Sequence, residues 1–133
     1  MCRMGDIIVI KEFRNENGEI IKKHPFIVLS DFKYKYNNLK YNIITNMICS
    51  FHNEKHKSQK IKYKENLYVN SKSNIGKNLH QKDGFIKADQ LYYFNEKDYE
   101  VIAHVDDYIL NKLLLRIVEL EHNKKIKIIT TNI

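Results

Sequence analysis

The chain reads as a mainly β domain followed by one C-terminal helix, in the form of a small, strongly bent antiparallel barrel. Three observations predict this. Short runs rich in Ile, Val, Tyr and Phe succeed one another from residue 6 to residue 104, the residue types that suit a pleated, half-buried surface. A single late stretch carries apolar residues at helical spacing. No alternation of strands with helices intervenes, which argues against a doubly wound parallel sheet.

The elements follow in order. Residues 6–13 form a first strand and residues 19–30 its hairpin partner, separated by Asn17-Gly18, a strong short-range hairpin signal. Pro25 has no N–H to give a ladder, so it marks a bulge or an edge. Residues 40–51 are a third extended run, and the polar segment 52–60 reads as a loop or a short excursion. Residues 61–69 alternate at first, placing Ile61, Tyr63 and Glu65 on one face of a half-exposed strand. Residues 70–83 read as loop. Residues 84–94 are a further strand, bent near Ala88-Asp89, and residues 99–104 a short last one. Either Asp106 or Asp107 caps a helix, whose Ile109, Leu110, Leu113, Leu114, Ile117 and Leu120 keep helical spacing up to His122. The tail after it either adds a strand or stays loose.

At 133 residues the chain fits one domain, residues 1–133. No run is long and apolar enough for a transmembrane helix. The short run Ile7–Ile10 ends at Lys11 and does not read as an export signal. The expected location is therefore cytoplasmic, with Cys2 and Cys49 as reduced thiols. No Cys/His spacing suits zinc, and no metal or cofactor is expected.

The net charge of +7 suits a polyanionic partner, although an AT-rich coding sequence also yields Lys, Asn, Ile and Tyr in abundance. Lys22 and Lys23 precede His24-Pro25 and can hold phosphates as point charges. Lys55, Lys57, Lys60, Lys62 and Lys64 form a cationic run with Tyr63 and Tyr68 beside it. Cations along a backbone, with aromatics for base stacking, suit single-stranded RNA; a solvated polar face gives the same pattern.

Gly5-Asp6 opening the first strand, His24-Pro25-Phe26-Ile27-Val28-Leu29 in the second, Ile48-Cys49-Ser50 ending the third, Ala88-Asp89-Gln90-Leu91 later, and an Asp-initiated final helix form an ordered set. This set resembles the MazF/PemK toxins, small SH3-like barrels with endoribonuclease activity. The phrases HPFIVLSD, CSFHNEKHKSQKIKYKENL, FIKADQLYYF and LLLRIVEL look most like the type III toxin–antitoxin endoribonucleases of the CptN/ToxN/AbiQ type. The chain departs from that pattern in having His24 where the family has Arg, Cys49 where it has Thr, and His52 where type III toxins tend to have Lys.

The resemblance implies metal-independent cleavage of single-stranded RNA. The 2′-OH attacks the adjacent phosphate, leaving a 2′,3′-cyclic phosphate and a 5′-OH. It implies His24 as acid or base, Ser50 as a donor to phosphate, and His52 as a donor to the leaving oxygen or the phosphate. Cys49 is a buried filler unless its pKa is lowered. Gln90 either organises the barrel or touches a base. The implied partner is a structured antitoxin RNA, processed by the toxin and held in a ring-like hetero-oligomer, in a system serving phage defence and growth arrest. The alternatives are a MazF-type toxin with a protein antitoxin, or a non-catalytic RNA-binding barrel. Neither DNA nor a membrane is an expected partner.

Overall fold

The computed structural model describes residues 2–30, 34–36, 39–51, 53–70, 72–73, 83–95 and 98–130. Its strands are β1 (Asp6–Arg14), β2 (Ile20–Ser30), β3 (Tyr34–Tyr36), β4 (Leu39–Tyr41), β5 (Ile43–Ser50), β6 (Asn66–Val69), β7 (Gly84–Lys87), β8 (Gln90–Phe94), β9 (Tyr99–His104) and β10 (Lys127–Thr130). Two helices, α1 (Glu54–Lys60) and α2 (Asp107–His122), complete the described elements. The fold is mainly antiparallel β with a C-terminal helix.

The β1–β2 hairpin follows the sequence reading. Gly18 takes φ +78°, and the Asn15 side-chain oxygen accepts from the backbone N–H groups of Asn17 and Glu19, an Asx-type turn that aligns the two strands. β2 passes on to β5 only from Phe26, which pairs with Met47, while Pro25 pairs with Val9 of β1. Proline therefore sits where its missing N–H costs no second ladder bond.

The principal strand path runs β10-β8-β5-β2-β1-β9, with β7 also on β5 and β6 on β7. It is open among the described residues, so the strands do not form the expected closed barrel. The sheet is nevertheless strongly curled. β8 and β1 are separated by β5 and β2, which in a flat sheet would place them about 14 Å apart. The Phe13 ring of β1 nonetheless lies 5.8 Å from Tyr92 and 6.1 Å from Phe94 of β8.

The central strands are apolar on both faces, which is why their sequence runs do not alternate. Inside the curl, Ile8, Ile10, Phe13, Phe26, Val28, Tyr92 and Phe94 form one buried cluster. On the other face Ile7, Ile27, Leu29, Ile48 and Ile86 meet Ile109, Leu113 and Leu120 of α2. Burying each such side chain contributes about 1.5–3 kcal/mol.

Three local readings are corrected, and the open reading of the tail is resolved. Residues 54–60 are helical, not loop: Asn53 caps α1, its side chain accepting from the His56 N–H at 2.8 Å, with Glu54 in the first turn and Lys60 in the last. Only Asn66–Val69 of the expected 61–69 strand is extended, because residues 61–65 form successive turns. The run 84–94 breaks into β7 and β8 at Ala88-Asp89. The tail adds β10, parallel to β8, with Lys127 opposite Gln90.

Asn46 controls that break. Ile43–Thr45 of β5 pair with β8, whereas Ile48–Ser50 pair with β7. At the change of partner the buried Asn46 side chain donates to the carbonyls of Lys87 (3.1 Å) and Gln90 (2.8 Å). One amide thus fixes both ends of the β7–β8 turn and the two side chains that flank it.

Candidate active site

Two cavities meet at His24 and Lys87. The first, of about 240 Å³, is lined by His24, Cys49, Ser50, His56, Lys60, Phe85 and Lys87. The second, of about 190 Å³, takes in Asn15, Asn17, Gln90 and Tyr92 as well as His24 and Lys87.

His24 is held from several sides. Its ring packs 6.1 Å from Phe13 and 5.8 Å from Phe26. Nδ1 lies 3.1 Å from the Pro25 carbonyl oxygen. That oxygen can only accept, so Nδ1 carries the proton and, in the neutral ring, Nε2 is left as the basic nitrogen. Burial lowers the His24 pKa below its ordinary 6.5; the Pro25 carbonyl opposes this and the nearby Lys87 charge reinforces it. Near neutral pH the ring is uncharged and able to take a proton. The preceding Lys23 has φ +51°, a left-handed conformation that costs a non-glycine residue about 1 kcal/mol.

Ser50 stands at the end of β5 opposite Gly84 of β7, next to the half-buried Cys49. Burial pushes the Cys49 thiol up, against weaker opposing effects of Lys87 and Lys60. The thiolate needed for nucleophilic attack is thereby disfavoured, and the residue, half-buried rather than fully buried, is a wall of the cavity. His56 arrives from α1, its ring 6.0 Å from both Phe51 and Phe85. Lys60 follows one turn later on the same helix, as i, i+4 spacing dictates.

The structure therefore brings together His24, Ser50 and Lys60 of the residues singled out from the sequence. It adds His56 and Lys87, which sequence reasoning missed. His52 lies outside the described residues, as does His80. Lys22 and Lys23 are exposed on β2 and line neither cavity. Lys55 is exposed on α1. Lys57 is engaged, donating to Asp83 at 2.9 Å, and Tyr68 donates to the same carboxylate oxygen at 2.7 Å; the Asp83 hydrogen bond pushes the Lys57 pKa up. Lys62 and Tyr63 line a different groove, against α2.

Gln90 is buried at the second cavity and donates to Glu16 Oε1 at 3.3 Å. Tyr92 shares that wall, and burial there pushes its phenol pKa well up. Among the remaining histidines, His104 pairs with Asp6 at 3.0 Å across the β1–β9 edge. Among the described residues, no group of three or more His, Cys, Asp or Glu side chains converges as a metal site requires, and no helix is long and apolar enough to cross a membrane. Comparison with protein-family models, with curated proteins and with solved structures finds no match to this chain.

Proposed function

We propose that this chain is a small endoribonuclease toxin of the MazF/PemK kind, cutting single-stranded RNA without a metal. One observation carries the reading: a half-buried neutral imidazole, a hydroxyl, a second imidazole and two lysines line a single cavity of about 240 Å³. Self-cleavage of RNA needs a base for the 2′-OH, an acid for the departing 5′-oxygen, and cations or donors for the charged phosphorane. A positioned acid or base contributes about 10²–10⁴ in rate, and preorganised charge often more.

The roles follow from the chemistry of each group. His24 Nε2 takes the proton from the 2′-OH as the 2′-oxygen bonds to phosphorus. The bond from phosphorus to the 5′-oxygen breaks, and that oxygen takes a proton from the His56 imidazolium or the Lys60 ammonium. Lys60 and Lys87 neutralise the phosphorane, and Ser50 donates to one of its oxygens. The products are a 2′,3′-cyclic phosphate and a 5′-OH. Asn15, Asn17 and Gln90 in the adjoining cavity supply the amides needed to read a neighbouring base. The curl that brings Phe13 onto Tyr92 and Phe94 supports the finer assignment to an SH3-like barrel.

In this reading the protein acts in the cytoplasm and is restrained by a structured antitoxin RNA bound to its cationic surface. Exposed Ile61, Leu115 and Val118 favour a second reading, in which a protein antitoxin covers them. Incubation of the free protein with RNA in EDTA tests the chemistry. Cyclic-phosphate and 5′-OH ends are expected, and 5′-phosphate ends or strict dependence on a divalent ion would overturn it. Purification with the native upstream region tests the partner: a stoichiometric small RNA is expected, and a small bound protein that survives RNase treatment replaces it.

A further inference from the structure

A second region, apart from the His24 cavity, is a groove of about 770 Å³ between α2 and the segment 61–70. Its α2 wall is a single stripe. Tyr108, Lys112, Leu115, Arg116 and Glu119 recur at three- and four-residue spacing, on the side of the helix left over once Ile109, Leu113 and Leu120 are buried. The opposite wall carries Lys62, Tyr63 and Lys64. Four cations thus face one carboxylate, Glu119.

Tyr63 and Tyr108 are each 57% exposed, although tyrosine rings carry large apolar surface. The Lys112 ammonium lies 5.9 Å from the Tyr108 ring centre. The Arg116 guanidinium donates to the Lys64 carbonyl, tying the two walls together. The groove also adjoins the His24 cavity. Its Tyr68 stacks at 6.2 Å on Phe51, which stacks at 5.1 Å on Phe85, a wall of that cavity. The chain itself links the two, since Lys60 lines the cavity and Ile61 the groove.

We infer that this groove holds the stretch of single-stranded RNA flanking the cut, with Tyr63 and Tyr108 stacking on bases and Lys62, Lys64, Lys112 and Arg116 on phosphates. The inference rests on the endoribonuclease reading of the His24 cavity and names an extended subsite for its substrate. Exposed tyrosines interleaved with cations match what a single strand presents, one π-face and one phosphate per nucleotide.

The test compares a substrate of a few nucleotides with one of roughly twenty, longer than a single strand-binding site of this kind. Lys112→Ala/Arg116→Ala is expected to raise KM for the long RNA about tenfold, leave kcat unchanged, and leave the short RNA unaffected. Losing two phosphate contacts should also flatten the salt dependence of long-RNA binding by about 1.4 in log–log slope. Tyr108→Ala should weaken long-RNA binding about fivefold or more, and Tyr108→Phe should restore it. Equal loss on both substrates, or no loss on either, overturns the inference.

If the wild type cuts no RNA, the cavity reading has failed separately. Fluorescence polarisation with the long RNA then decides the groove alone: a weaker, flatter salt response in the variant supports it, and identical curves overturn it. Identical RNA curves, together with loss of an acidic protein antitoxin by the variant, assign the groove to a peptide and overturn it equally.

Discussion

The His24 cavity and the α2 groove differ in nearly every physical respect. The cavity is small, and its key imidazole is fixed by two rings and a backbone carbonyl, on β2 just before the strand becomes fully buried at Phe26. The groove has more than three times the volume and is walled by long, exposed side chains on a helix and a run of turns. Burial is what shifts His24 and Cys49 from their ordinary pKa values. Rigid, partly dry surroundings make a few groups chemically distinctive, whereas a wet, flexible wall adds reach and charge. Chemistry and capture are accordingly expected to be separable by mutation.

The sharpest way to break that contrast is His24→Ala. Cleavage is expected to fall about 10²–10⁴-fold with the melting transition retained, and normal cleavage by the folded variant would move the base elsewhere. The pH profile sharpens it further. His24 has a folded pKa below its unfolded value of 6.5, so the native state binds fewer protons than the unfolded chain in that window. Stability should therefore be fully present above pH 6.5 and be lost as pH falls through the lowered pKa, and cleavage should fall over the same acid limb as His24 is protonated. Urea titrations at several pH values check the stability arm, which should flatten in His24→Gln.

Ser50→Ala is expected to reduce kcat about 10²-fold, the usual effect of deleting one donor to a developing oxyanion, with KM nearly unchanged. Lys60→Gln and Lys87→Gln should each cost about tenfold, read as kcat/KM at fixed ionic strength. Lys57→Ala should alter cleavage no more than about fivefold, because its ammonium is already committed to Asp83 at the surface. A Lys57 effect larger than that of Lys60 would erase the distinction between engaged and available cations.

Much of the framework was legible in the sequence because it is local. The hairpin is carried by Asn15, Asn17 and Gly18, and the final helix by its periodic leucines and isoleucines. The rest depends on pairings between distant segments. β7 and β8 look like one apolar run until Asn46, far away in β5, captures the carbonyls on either side of their turn. α1 is polar and only seven residues long, too short for a periodicity to show. Placing His24 and Ser50 at one site relied on family resemblance. His56 and Lys87 carried no signal of their own: one sits in that unrecognised helix, the other next to the turn Asn46 makes. The lysine run looked uniform in sequence, yet α1 and the turns after it send Lys57 to an ion pair, Lys60 to the cavity and Lys62 to the groove.

The contact of Phe13 with Tyr92 and Phe94 has a consequence in time. The β1–β2 hairpin joins near neighbours and can form in about 1–10 μs. The rings inside the curl meet only when β8 arrives from the far half of the chain, and β1 gains its other neighbour through Asp6 and His104, 98 residues apart. Ordering such distant segments before any contact rewards them makes folding slow, in the millisecond-to-second range, with the aromatic interior sealed last. Phe94→Leu should then quicken unfolding and leave the folding limb of the chevron almost unmoved.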